Sequence, residues 1–453
     1  MRGTRCVLLG LAVGLSIALL SCGRKKEAPE ADDLLARVGE QAITVQEFVG
    51  RLHYALLPGG GKQSLDVSSR RKYLDDLIDE KLAARAARAR GLDREANLLP
   101  TLEEVRDQAM LRELYLDRIR AQVVLPEEEV ELALKRATEE LEVAFFRAAH
   151  EDEALWVKQK LLEGRSFAEV AAQRYGRSFS EEQFRRTIRW GETEPALEEV
   201  AYALKVGEVS EPVPVEGGYY VLKLLRRSPL GVEKTPGLRS AVEQRLRQRK
   251  EAQLARQYTD QILRASRVGL YRGALDRLAG TLETRLEKEP FPLEIDPSWL
   301  DSLADGLAWG DTVLLEIGDQ RLSVRQVLSR LARSARMLRF DSVGAVRPAL
   351  ASLIVQLAQD EALLREARRL GLQDHPRVKR DVAIWEDYLL AQILRDRLGD
   401  EMRFRSIVDS LRAAVPVMVL ETKLAALDLA PLRQTPSSAW AARSVALPPW
   451  PGD

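Results

Sequence analysis

Apolar residues recur along the chain with two periods. From 70 to 90 and from 101 to 122 they return every three or four positions among charged residues, which predicts helices. Gly91 ends the first of these, and Pro126 opens a further helix to about Glu140. Leu34 to Leu52 starts as a short strand, turns at Gly39-Glu40, and enters a helix at Thr44-Val-Gln-Glu47. Those four residues have capping-box spacing: Thr44 accepts from the third helical amide and Glu47 reaches back. Residues 58–69, with three glycines in a row, predict a loop.

The pattern changes between 141 and 228. LEVAFFRAA predicts a strand and Glu151 to Glu163 a helix ending at Gly164. Ser166-Phe-Ala-Glu169 is a second capping box, opening a helix that stops at Gly176. A polar, irregular stretch runs on to Trp190. Pro195 then stands at a first helical position, the helix runs to Leu204, and Gly207 turns the chain. Two β-branched runs around Glu216-Gly217-Gly218 predict a terminal hairpin. From Leu238 to Leu278 the chain is again helical and charged, with Val268-Gly-Leu-Tyr as a candidate strand. Pro290, Pro292 and Pro297 mark a break.

After the break the beginning repeats. Leu315 to Leu331 aligns without a gap to Ala36 to Leu52, so Gly318 meets Gly39 and the pair Ser323 with Gln326 repeats the cap of Thr44 with Glu47. Glu366-Ala-Arg-Arg-Leu-Gly-Leu372 echoes Ala86 to Leu92, and Arg380 to Trp385 echoes Arg106 to Leu111. Val408 to Val417 resembles Asp260 to Gly269 once one gap is allowed. A helical module therefore occurs twice, interrupted in its first copy by the α+β stretch.

With 453 residues, 45% hydrophobic, the chain is long enough for two or three domains. Its 69 basic and 69 acidic residues cancel, which removes the electrostatic footprint expected of a nucleic-acid binder. Arg2 and Arg5 precede an apolar run from Val7 to Leu20, too short to span a bilayer comfortably, and Leu19-Leu20-Ser21-Cys22 follows. That ending resembles a bacterial lipobox, which implies cleavage after 21 and lipidation of Cys22. Cys6 lies in the segment to be removed, so no disulfide framework is expected. Gly23 in place of Asp favours the outer membrane, and the charged residues that follow read as a tether. No phosphate loop, dinucleotide fingerprint or nucleophile elbow occurs. His53, His150 and His375 lie far apart without a ligand pattern, so neither metal nor cofactor is expected.

The words Glu163-Gly-Arg-Ser-Phe-Ala-Glu-Val-Ala, Ala203-Leu-Lys-Val-Gly-Glu-Val-Ser and Gly218-Tyr-Tyr-Val-Leu-Lys resemble the parvulin-type (PpiC) peptidyl-prolyl isomerases, whose order of elements 141–228 follows. The arrangement of flanking helices resembles the periplasmic folding factors SurA and PrsA. The implied fold is α+β: a small parvulin-like α+β domain inserted in a mostly α-helical SurA-like module, with a second helical module repeated C-terminally. The expected divisions are 1–21 signal peptide, 22–34 tether, 35–140 helical module, 141–228 parvulin-like domain, 229–289 returning helices, 290–430 second module and 431–453 proline-containing tail.

The resemblance also implies a site: two histidines on adjacent strands, a Cys or Asp near them, and Met and Phe around the substrate proline. Here Phe145 and Tyr220 stand where the histidines would be, Arg177 or Ser178 at the Cys or Asp, and Thr193 and Leu197 at Met and Phe. Arg186 to Arg189 replaces a glycine-rich loop, while Trp190 and Tyr202 keep aromatics. Catalysis is expected to be degenerate, with Phe145, Trp190, Thr193, Leu197, Tyr202 and Tyr220 lining a peptide site. Trp156, Tyr175, Phe184, Trp190 and Tyr219 are read first as core, with the lining of a peptide groove as the alternative. The implied partners are unfolded or nascent exported polypeptides, outer-membrane proteins as one class, held by a lipid-anchored periplasmic chaperone. The alternatives are an isomerase that uses Tyr220 and a non-enzymatic docking lipoprotein.

Overall fold

The computed structural model describes residues 33–56, 66–96, 98–215, 217–232, 235–333 and 338–427. The expected signal peptide, Cys22, the tether to residue 32 and the tail lie outside these residues, as does the side chain of His53.

Strands β1 (Leu34–Val38) and β2 (Gln41–Thr44) lead into helices α1 (Val45–Leu56), α2 (Val67–Ala89), α3 (Leu98–Arg118) and α4 (Glu127–Ala137). Next come β3 (Glu139–Ala148), α5 (Glu151–Leu162), α6 (Phe167–Tyr175), β4 (Arg185–Arg189), α7 (Pro195–Ala203), β5 (Val213–Val215) and β6 (Gly218–Pro229). The chain continues through α8 (Leu238–Ser266), β7 (Val268–Leu270), α9 (Arg272–Leu286), β8 (Leu293–Ile295) and α10 (Pro297–Gly306). Then follow β9 (Val313–Ile317), β10 (Gln320–Ser323), α11 (Val324–Arg333), β11 (Leu338–Phe340) and α12 (Val346–Arg369). The described chain closes with α13 (Pro376–Leu398), α14 (Glu401–Ala414), β12 (Val417–Val419) and α15 (Glu421–Ala426). No described helix is long and apolar enough to cross a membrane.

The sequence repeat is a structural repeat. Both copies run strand, glycine turn, strand, helix, and Gly39 (φ 58°) and Gly318 (φ 62°) take the left-handed conformation that the turn requires. An added Cβ would meet Arg85 beneath Gly39 and Arg365 beneath Gly318, so the same arginine supports the same turn twice. Ser323 and Gln326 form both bonds of the capping box, at 3.3 and 3.0 Å. Thr44 forms only its own half, accepting from the Glu47 amide at 3.0 Å. The expected return arm is missing because the Glu47 carboxylate lies 3.0 Å from the buried Lys81 ammonium, which has the stronger claim on a carboxylate.

The two compact units cut across the sequential modules expected from the sequence. Residues 33–95 and 386–427 make one unit, and 96–385 the other. The reason lies in which strand completes which sheet. In one unit β12 pairs antiparallel with β1, Val417 opposite Val38 and Val419 opposite Ala36. In the other, β7 pairs antiparallel with β9, Val268 opposite Ile317 and Leu270 opposite Leu315. Since 315–317 are the repeat equivalents of 36–38, β7 and β12 hold the same register on equivalent strands. The strand that closes copy one thus completes the sheet of copy two, and the strand that closes copy two completes the sheet of copy one. Helices follow suit: α3 packs on α12, while Asp387 of α13 reaches Lys81 of α2 at 3.3 Å.

The smaller unit buries charge. Arg51, fully buried, forms a bidentate pair with Glu80 at 2.8 and 2.7 Å. Burial pushes Lys81 down, but the carboxylates of Glu47 and Asp387 outweigh it and hold its ammonium above the ordinary lysine value. In the larger unit the equivalent Arg330 pairs with Glu361, and an apolar core surrounds them from Leu278 on α9 to Leu350 and Ile354 on α12.

Residues 139–229 form the α+β stretch, a four-stranded antiparallel sheet in the order β4-β3-β6-β5. Pro195 occupies the first turn of α7, and the Ser166 box and left-handed Gly176 (φ 68°) delimit α6. The irregular stretch expected before Trp190 contains a strand instead. In β4, RRTIR, only Ile188 is buried, so no apolar period marks it. It is an edge strand, where charged side chains are tolerated and guard against further pairing.

Candidate functional site

Successive side chains of a strand face opposite ways, so Phe145 and Phe146 of β3 serve different sides of this sheet. The Phe146 side is closed. Phe146, 3% exposed, stacks with Tyr175 at 6.2 Å and Phe184 at 6.3 Å, and Phe167 and Val170 of α6 with Ala154 and Val157 of α5 cover it. Trp156, Phe184 and Tyr219 pack against this core. Tyr175 is 51% exposed yet keeps its rings against Phe146 and Phe179.

The other side is left partly open. Its floor is Leu141, Val143, Ile188, Leu222 and Leu224, and on it stand the half-buried Phe145, Trp190, Leu197 and Tyr220. The rings of Phe145 and Tyr220 are 5.8 Å apart and tilted by 37°. The Tyr220 hydroxyl has no hydrogen-bond partner among the described residues. Gly218 makes this hairpin tight: its φ of 152° is closed to other residues, and a Cβ there would overlap the Ala148 carbonyl oxygen.

Sequence reasoning missed the group that holds the loop after Trp190. Glu198 of α7 is 1% exposed, and its carboxylate accepts from the amides of Gly191 (2.9 Å) and Thr193 (2.8 Å) and from the guanidinium of Arg249 (2.7 Å). Arg249 of α8 lies over the Trp190 ring, 5.0 Å from its centre, and Arg245 donates to the Gly191 carbonyl. A glutamate four residues into a helix carries no sign of this. Its partner Arg249 is 51 residues away.

Two of the expected site residues do not join this face. Tyr202 is 7% exposed and its hydroxyl donates to the Arg136 and Glu139 carbonyls, at 3.0 and 3.1 Å. It is part of the floor rather than the lining. Burial, with the Glu198 carboxylate adding to it, pushes its phenol up to about 12. Ser178 is exposed, and its neighbour Phe179 belongs to the closed side, so nothing brings it to Phe145 or Tyr220. Thr193 is placed through its main-chain amide.

Elsewhere, His150 precedes α5 without capping it, and His375 Nδ1 lies 3.5 Å from Glu113. No group of three metal-ligating side chains occurs among the described residues.

The family model described as a PPIC-type PPIASE domain matches residues 127–234. The chain is 23% identical over 306 residues to the foldase protein PrsA of Caldanaerobacter subterraneus subsp. tengcongensis, covering 59% of this chain and 96% of that protein. It is 25% identical over 240 residues to foldase protein PrsA 2 of Bacillus anthracis, covering 51% and 80%. The crystal structure of a PrsA peptidylprolyl isomerase from Bacillus cereus matches at 20% identity and a TM-score of 0.23, covering 50% of this chain and 93% of that one. Residues 127–234 thus match a peptidyl-prolyl isomerase domain of the PPIC, or parvulin, type, within a chain that is similar to PrsA foldases.

Proposed function

We propose that the protein is a lipid-anchored, exported folding chaperone that holds unfolded or translocating polypeptides, and that its parvulin-type domain binds them with little or no isomerase catalysis. The observation that carries the reading is the Phe145–Tyr220 pair. Two adjacent rings stand on a half-open apolar face, at the positions where the family resemblance implies paired imidazoles.

Turning an X-Pro bond means crossing about 18 to 20 kcal/mol, and a catalyst must favour the twisted amide over both planar forms. Phe145 has no polar group to offer a twisting amide, and Ser178 is not beside it. What remains is Tyr220, whose unpartnered hydroxyl can donate one hydrogen bond. That hydroxyl is the observation favouring the second reading, an atypical isomerase. The apolar surface around it suits capture of an exposed client side chain, since such patches mark binding surfaces. Anchoring in the outer membrane rests on Leu19 to Gly23 and the expected lipid on Cys22.

The test is suppression of aggregation, followed by light scattering, for several unrelated unfolded proteins. The protein is expected to protect all of them, and Phe145→Ala with Tyr220→Ala to protect them less. Protection of one partner alone would instead fit a dedicated docking lipoprotein.

A further inference from the structure

Most arginines of the parvulin-type sheet have a carboxylate partner, Arg227 of the open side with Glu139 at 2.7 Å among them. On the closed side Glu140 pairs with Arg189 at 2.6 Å, and Glu142 pairs with Arg185 and Arg226 at 3.3 and 3.2 Å. Alternation along β4 places Arg186 with Ile188 on the open side, opposite Val143, and alternation along β3 places Arg147 there, opposite Tyr220. Neither has a carboxylate partner among the described residues. Arg186 lies 5.5 Å from the centre of the Phe145 ring and donates to the Arg185 carbonyl at 2.6 Å. Arg147 donates to the Gly217 carbonyl, also at 2.6 Å. Both are exposed. The Phe145–Tyr220 pair is therefore flanked by two positive charges that the surrounding fold does not neutralise.

We propose that Arg147 and Arg186 make the open face selective for extended polypeptide segments in which an apolar or aromatic side chain is flanked by carboxylates. The rings take the apolar group and the guanidiniums take the acids, in the charge-assisted geometry arginine favours. The inference rests on the peptide-binding reading above and adds which peptides are bound. The acids of the closed side cannot substitute for client carboxylates, because alternation turns them away and three arginines already hold them.

Fluorescence anisotropy with the purified protein tests it, using one labelled peptide with Phe and Pro between two Glu residues and a second with Gln at both Glu positions. At low ionic strength the acidic peptide is expected to bind roughly five- to tenfold tighter, the range for two partly exposed ion pairs. Salt should erode that preference. Arg147→Gln with Arg186→Gln should abolish it, with an unchanged circular-dichroism spectrum and unfolding midpoint showing that the variant is folded. Arg185→Gln with Arg189→Gln, on the closed side, should keep it. Equal affinity for both peptides, or a preference that survives the Arg147/Arg186 variant, overturns the charge selectivity alone. Failure of both peptides to bind overturns the peptide-binding reading and this inference with it.

Discussion

Phe145 and Phe146 are neighbours in sequence and opposites in structure. One side of the sheet is sealed by two helices and a cluster of aromatic rings, its surface acids matched to arginines. The other keeps the Phe145 and Tyr220 rings half-exposed with two unmatched arginines beside them. The sealed side holds the domain together, and the open side has surface that stability alone does not require. Substitutions should therefore separate stability from binding according to side.

The largest effect is expected at Phe146. Truncation to Ala removes a buried ring and leaves a cavity, which should cost about 3 to 5 kcal/mol in urea unfolding. Phe145→Ala should cost under about 1.5 kcal/mol, because the ring is already half in water, yet weaken peptide binding. Equal destabilisation by the two would erase the contrast.

A smaller loss is expected at Glu198. Changing it to Ala strands the Arg249 guanidinium and two loop amides, and should cost about 2 to 3 kcal/mol. A double-mutant cycle with Arg249→Ala should recover part of that as coupling. Strict additivity would mean that Arg249 does not act on the loop bearing Trp190 through Glu198.

Tyr202→Phe should cost about 1 kcal/mol at neutral pH for the lost main-chain hydrogen bond. Burial pushes the folded phenol up to about 12, above the 10.0 of an ordinary tyrosine, so the unfolded chain loses the proton first. The stability that the hydroxyl contributes is full below pH 10 and drains away as pH rises towards 12. The gap between wild type and Tyr202→Phe should then close over that window. A gap constant to pH 12 would place the phenol in water.

Much of the fold was legible because its signals are local. A glycine turn followed by a cap, met twice at a fixed offset, marks the repeat, and a Pro, a Gly turn and a tight hairpin mark the α+β stretch. The exchange of closing strands was not. Val268-Gly-Leu and Val417-Met-Val are three residues long and fit either copy, so sequence cannot say which sheet each completes. Edge strand β4 was hidden by its arginines, and the Glu47 arm of its box was lost to a lysine 34 residues on. At the site, family positions placed Phe145, Trp190, Leu197 and Tyr220, which do share a face. Tyr202 and Ser178 depart from that face because one packs under it and the other follows a loop to the opposite side. Arg186 stayed hidden with the strand: only once RRTIR is known to be β4 does its spacing of two from Ile188 put both on one face.

The central claim is binding without catalysis. It is tested most directly by the proline-limited cis–trans relaxation of a peptide the protein demonstrably binds, a process that takes tens of seconds unassisted. With saturating protein the relaxation rate should stay within about twofold of the uncatalysed one, because a barrier change below about 0.4 kcal/mol is all that a lone hydroxyl and an apolar face are asked to supply. A many-fold acceleration that disappears in Tyr220→Phe would contradict the claim and establish Tyr220 as a catalytic residue.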